Sequence, residues 1–173
     1  GGGNSTDLGA GGGYGGVGST DLRGNAGGPT YGSSNAPTLA GSAGGRASGN
    51  AVGGGAGGGV VWVQAARYVT VNGVISANGA ALEGNSGAGS GGSIYVYAPR
   101  FQGTGRLEAN GANGPGVNWA GGGGGGRIAI WRFNWTDFMT TSVTGGVGYL
   151  SIGGPGTVVW GQRPLPGTVF VVH

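Results

Sequence analysis

Three short apolar segments recur along this chain at nearly constant spacing, each preceded by a run rich in glycine. They are Val61-Trp62-Val63-Gln64-Ala65, Ile94-Tyr95-Val96-Tyr97-Ala98 and Ile128-Ala129-Ile130-Trp131-Arg132, starting at residues 61, 94 and 128. Self-similarity at such a period is the mark of stacked units, each burying its apolar face against its neighbours. Within each segment apolar residues alternate: Val61, Val63, Ala65; Ile94, Val96, Ala98; Ile128, Ile130. A period of two means a strand with one buried face. The opposite face would carry Trp62, Tyr95, Tyr97, Ala129 and Trp131. In a stack Trp62, Tyr95, Tyr97 and Trp131 would form an aromatic ladder of same-face neighbours.

The glycine between these segments narrows the fold further. Fifty of the 173 residues are glycine, about four times the usual share. Collagen would need glycine at every third position, and Val60 to Asn72 contains none. Disorder of the whole chain calls for low hydrophobicity and high charge. Here hydrophobic residues make up 37% and charged residues only 8%. What remains is glycine used as ordered material: extended polyproline-II-like strands, which pack closely on all sides only when side chains are missing.

The repeat units read as follows. The first has a strand over Val60–Ala65, another over Tyr68–Val71, a turn at Asn72-Gly73, and Val74-Ile75-Ser76-Ala77-Asn78-Gly79. The second repeats this with Ile94–Ala98, a corner at Pro99-Arg100-Phe101, a turn through Gly103-Thr104-Gly105, and Arg106–Gly111. Ala77-Asn78-Gly79-Ala80 and Ala109-Asn110-Gly111-Ala112 match residue for residue. Asn-Gly suits a left-handed position, so both strands are expected to end in the same tight turn. A third unit starts at Arg127–Phe133, with a looser second half near Thr141–Gly145, and a fourth at Gly156–Gly161. No segment has a capped amphipathic helical pattern, beyond one turn near Trp135–Phe138. The expected fold class is all-β: a β-solenoid-like stack of about four 32–34-residue units with glycine-rich polyproline-II-like segments and essentially no α-helix. Its expected parts are a glycine-rich segment over 1–59 packed on the β part, a β-repeat region over 60–163, and a C-terminal strand or tail over 164–173.

The phrases Gly91-Gly92-Ser93-Ile94, Val74–Gly79, Gly124–Ile130 and Gly153–Val158 resemble a family of glycine-rich repeat proteins. Such repeats occur in very large secreted or surface proteins of bacteria. The resemblance covers about residues 27–161 and implies a secreted structural or adhesive role, with no catalytic residues to carry over. Family members are long, whereas this chain holds about four units, which favours polymerisation. The glycine-rich half is also similar in composition to the glycine-helix sandwiches at phage tail-fibre tips.

Chemistry has few footholds. The only histidine is His173, and there is no cysteine and no lysine. The carboxylates Asp7, Asp21, Glu83, Glu108 and Asp137 are unpaired in sequence. Nucleophilic catalysis needs a base beside its nucleophile, and glycoside hydrolysis needs two flanking carboxylates. The expectation is therefore a non-enzyme with no cofactor and no metal. Gly15–Asp21 comes within one residue of a calcium-repeat pattern, but Asp7 and Asp21 read better as Asx-turn formers. The eight arginines give a net charge of +3 yet are spread out, so no nucleic-acid footprint is expected. No apolar run is long enough to span a membrane. Asn4 and Asn134 sit in N-glycosylation sequons. With no initiator methionine, the chain reads as processed or as a fragment.

Low charge with many aromatics suits a surface covered by copies of the same chain. The expected role is a structural subunit of an extracellular or cell-surface filament or matrix, its partners being copies of itself. Non-closing edge contacts would join them, with Val169, Phe170, Val171 and Val172, or the glycine-rich N-terminus, adding a strand to a neighbour. The competing expectation is an adhesin or receptor-binding tip, taking glycan or surface protein on loops bearing Tyr14, Tyr31 and Asn118-Trp119.

Overall fold

A computed structural model describes residues 1–3, 8–48, 53–115, 119–133 and 139–162. Among them there is no helix, and every paired strand runs parallel to its partner. Three strand triplets follow one another: β1 (Val60–Gln64), β2 (Tyr68–Thr70) and β3 (Val74–Ser76); β4 (Ser93–Tyr97), β5 (Arg100–Gln102) and β6 (Arg106–Glu108); then β7 (Arg127–Arg132), β8 (Thr140–Ser142) and β9 (Thr157–Gln162). The strands sort into a four-stranded sheet in the order β1-β4-β7-β9, a pair β2-β5, and a three-stranded sheet β3-β6-β8. Register is kept throughout: Val61 faces Ile94, Ile94 faces Ile128, and Ile128 faces Val158.

Alternation places the core. Ile94, Val96, Ile128 and Ile130 of the large sheet meet Phe101 of β5 and Leu107 of β6, with Val71, Ala77 and Ala109 between them. The core thus lies where the inner faces of the three sheets meet. Val61, Val63, Val158 and Trp160 close it at the two outer strands.

The expectation of one buried face holds for β1 but not for the middle strands. β4 and β7 are buried along almost their whole length on both faces. The chain around residues 29–40 covers the second face, which no periodicity in the strands themselves could announce.

The glycine segments have their own order. Along residues 87–92 successive amides donate to three different neighbours in rotation: Gly87 to Gly45, Ala88 to Gly121, Gly89 to Ala80, then Ser90 to Ser42, Gly91 to Gly124 and Gly92 to Ala77. The same rotation recurs along 121–126, where Gly121 and Gly124 donate to Gly9 and Gly12, and Gly123 and Gly126 to Ala112 and Ala109. Partners therefore repeat every third residue, unlike a sheet, where bonds lie in one plane. Segments from both sides of residue 59 share this network, so its backbone groups are satisfied mainly by one another, with Ser19 Oγ accepting the Gly122 amide at 2.7 Å. Spacing is close: a Cβ on Gly89 would fall on the carbonyl of Ala56.

The two Ala-Asn-Gly-Ala segments depart from expectation. Among the described residues only Trp119, Gly24, Gly32, Gly84 and Gly103 have positive φ, so neither Asn-Gly pair forms a left-handed turn. The asparagines instead bond along the stack. Asn78 Oδ1 accepts from the Asn110 amide at 2.7 Å. Asn110 Oδ1 in turn accepts from the Thr144 amide at 2.9 Å and from the Ser142 hydroxyl at 2.6 Å.

Candidate assembly and binding surfaces

Because β1, β2 and β3 pair only with β4, β5 and β6 among the described residues, all three lie at the same end of their sheets. Each is hydrogen-bonded on one side only among the described residues. Their burial alternates between exposed and intermediate, and Val60, Trp62, Tyr68 and Val74 stand out in solvent. At the other end of the large sheet β9 is paired with β7 alone among the described residues. β1, β2 and β3 contain no charged residue and no proline, the usual devices that keep an open edge from pairing.

One stacked pair stands on the outer face of the large sheet. Trp62 stacks on Tyr95 with ring centroids 4.1 Å apart, and Ala129 occupies the next position in register. Tyr97 and Trp131 are register neighbours. The Trp131 ring lies over Gly161, which leaves no room there for a Cβ, and its indole Nε1 donates to Asn35 O at 2.8 Å.

A buried polar clamp, invisible from composition, fixes the covering segment to this face. Arg127, 7% exposed, donates through Nε and Nη2 to Tyr31 O at 3.1 and 2.9 Å. Its Nη1 donates to Thr157 Oγ1 at 3.1 Å, and its guanidinium lies 5.3 Å from the centroid of the Tyr14 ring. Tyr14 is wholly buried. Its hydroxyl meets Ser93 Oγ at 2.6 Å, and Ser93 Oγ donates to Leu39 O. Tyr14 is therefore no exposed tip aromatic: its ring packs on Tyr31 at 4.8 Å, inside the molecule. The only advance signal was position, since Arg127 follows the run Gly121–Gly126 directly and Ser93 follows Gly91-Gly92. Arg132 is also buried, its guanidinium 4.4 Å from the centroid of the Trp160 ring. Desolvation lowers its pKa from the ordinary arginine value.

A second surface lies where glycine segments turn. A cavity of about 370 Å³ is lined by Leu8, Leu22, Arg23, Asn85 and Trp119. Trp119 is about half exposed and holds φ at 56°, an outlying conformation for a bulky residue. Its carbonyl accepts the Leu22 amide at 2.9 Å. Val147, Tyr149, Leu150 and Ile152 are exposed nearby, joined to it by the bond from the Tyr149 amide to Ala120 O.

Two acidic residues, Asp21 and Glu108, have partners within the fold. Asp21 is fully buried. Its Oδ1 accepts the Arg23 and Asn25 amides at 2.9 and 3.0 Å, an Asx-type turn, and Oδ2 accepts Asn25 Nδ2. Glu108 forms an ion pair with Arg106. Among the described residues no group of His, Cys, Asp or Glu is arranged to hold a metal ion, and no helix is long and apolar enough to cross a membrane. Asn4, Asp7, Asn118, Asn134, the turn near Trp135–Phe138, Asp137, the strand Val169, Phe170, Val171 and Val172, and His173 lie outside the described residues.

Comparison with known proteins brings no relative: no family model, no curated protein and no solved structure matches this chain.

Proposed function

We propose that this chain is a structural subunit of an extracellular filament or matrix, built as a β-solenoid-like stack flanked by polyproline-II-like glycine strands and assembled through non-closing strand-edge contacts. The observation that carries this reading is the contrast between interior and ends. Inside, glycine segments and strands share dense backbone hydrogen bonding. At the end, the three edges of β1, β2 and β3 have no strand partner among the described residues and carry no charge or proline.

The rotation of partners every third residue supports the glycine-strand part, because a polyproline II helix has three residues per turn. Amides then point in three directions, and each strand can bond to several neighbours. The parallel register supports the solenoid part, since each strand lies on its counterpart one unit earlier. The motif likeness to glycine-rich surface proteins supports the extracellular setting. In this reading the protein performs no reaction, and the buried carboxylate and arginines serve packing.

A second reading, an adhesin that takes a glycan, is favoured by the Trp119 cavity alone. Its size falls within the usual range for small-molecule sites, and an indole beside polar groups suits a sugar ring. Negative-stain microscopy with sedimentation separates the two. The structural reading expects concentration-dependent fibres of uniform width. Discrete particles of one to three copies would refute it and favour the adhesin.

A further inference from the structure

We infer that copies of this chain stack end to end, the β1-β2-β3 end of one copy seating on the β9 end of the next in continued parallel register. This rests on the filament reading and specifies its joint.

Glycine placement supplies the independent sign. Gly92, Gly126 and Gly156 each stand on the strand before: a Cβ on Gly92 would fall on the carbonyl of Gly59, one on Gly126 on that of Gly92, and one on Gly156 on that of Gly126. Gly105 stands in the same way on Gly73. At the open end the requirement has no cause among the described residues. Gly59 and Gly73 have nothing within 4 Å of a Cβ, and neither has positive φ. Both positions are nevertheless glycine. A second copy continuing the column would bring the carbonyl of its Gly156 to Gly59, as Gly59 itself meets Gly92.

Register selects the occupant. Among the described residues the other two sheets end at β5 and β8, and β9 alone reaches the fourth level. β9 of a second copy is a strand already matched to the β1 column, and β1 is the edge it meets. Continuing the column that runs Val60, Ser93, Arg127, Thr157 sets the register. Thr157 of the second copy would face Val60, Val158 would face Val61, and Val159 would face Trp62. Val158 then extends the inner apolar face, and Trp62 gains a β-branched neighbour on its open side. The contact joins unlike ends, so it propagates without closing.

The chain has no native cysteine, which makes cross-linking clean. In a Trp62→Cys/Val159→Cys variant the two sulfurs of one chain sit three strand spacings apart, roughly 14 Å. That is beyond disulfide reach, about 4.4–6.8 Å between Cα atoms. Across the joint they would be one spacing apart. Mild oxidation should give a ladder of disulfide-linked oligomers, absent from the Trp62→Cys/Val158→Cys control, where the pair points to opposite faces. Gly59→Ala, whose methyl meets open space in the single chain, should leave the unfolding midpoint unlowered and raise the concentration needed for assembly at least tenfold. Filaments that form without the ladder, or that tolerate Gly59→Ala at unchanged concentration, would overturn this joint and leave the filament reading standing. An assembly-free but folded parent protein would overturn both.

Discussion

Replacing Gly89 by alanine tests the close-packed glycine interior most sharply. Its Cβ would land on the carbonyl of Ala56, close to Gly55 O. Both of these are backbone groups that cannot swing aside as a side chain can. Gly89 also donates to Ala80 O at 2.9 Å, and its own carbonyl accepts the Ala112 amide at 3.0 Å. Pushing the strands apart costs about 1–3 kcal/mol for overpacking. Weakening the two backbone bonds adds about 1 kcal/mol each. The sum, about 3–5 kcal/mol, is about a fifth or more of a typical domain's stability. Gly53→Ala is the matched control, because nothing lies within 4 Å of a Cβ there. There alanine only restricts the unfolded chain, and stabilisation of up to about 1 kcal/mol is expected. Urea unfolding followed by tryptophan fluorescence measures both variants. A Gly89→Ala protein within about 0.5 kcal/mol of the parent, below the cost of even one such bond, would refute the reasoning. The glycines would then be spacers rather than contact points.

Three further outcomes follow from the clamp, the ladder and the stack. Arg127→Met should cost about 3 kcal/mol by leaving the Tyr31 carbonyl without its buried donors, and limited proteolysis should then cut near residues 29–40; Arg127→Lys should not restore protection, since one ammonium cannot reproduce the fork. Asn110→Ala should cost about 1 kcal/mol and speed hydrogen exchange at the Thr144 amide, which bonds to its Oδ1. Trp62→Ala, removing the ring stacked on Tyr95, should cost about 1 kcal/mol in thermal unfolding.

The strands were legible because glycine punctuates them and because period-two alternation marks a buried face. Among the described residues each expected strand start falls within a residue or two of its observed position, from Val60 through Arg127 to Thr157, but Arg100–Gln102, expected as a corner, forms strand β5. Other features turn on contacts between residues far apart in sequence. Tyr14 looked like a loop-tip aromatic because its flanking glycines gave no hint that Ser93 and Arg127 would close over it. The repeated Asn-Gly pair looked like a turn because local propensity favours one. A partner 32 residues away took the asparagine carbonyl instead. Trp62 and Trp160 sit in near-identical contexts, Val-Val-Trp-Val-Gln and Val-Val-Trp-Gly-Gln. Yet Trp62 faces outward and Trp160 joins the core, because pairing is offset by one residue: Trp160 falls opposite Ile130, on the column of Val63. A one-residue shift exchanges the two faces of a strand, and only the partner strand decides it.

The central claim is that the open strand edges are joints of a continuous stack, and the axial rise of the assembled filament tests it most directly. Four strands per subunit in the large sheet, at roughly 4.8 Å each, give a rise of about 19 Å. Cryo-electron microscopy of filaments grown from the full chain should return that rise, with strands perpendicular to the filament axis. A rise set instead by the molecule's width, with strands running along the axis, would contradict the account.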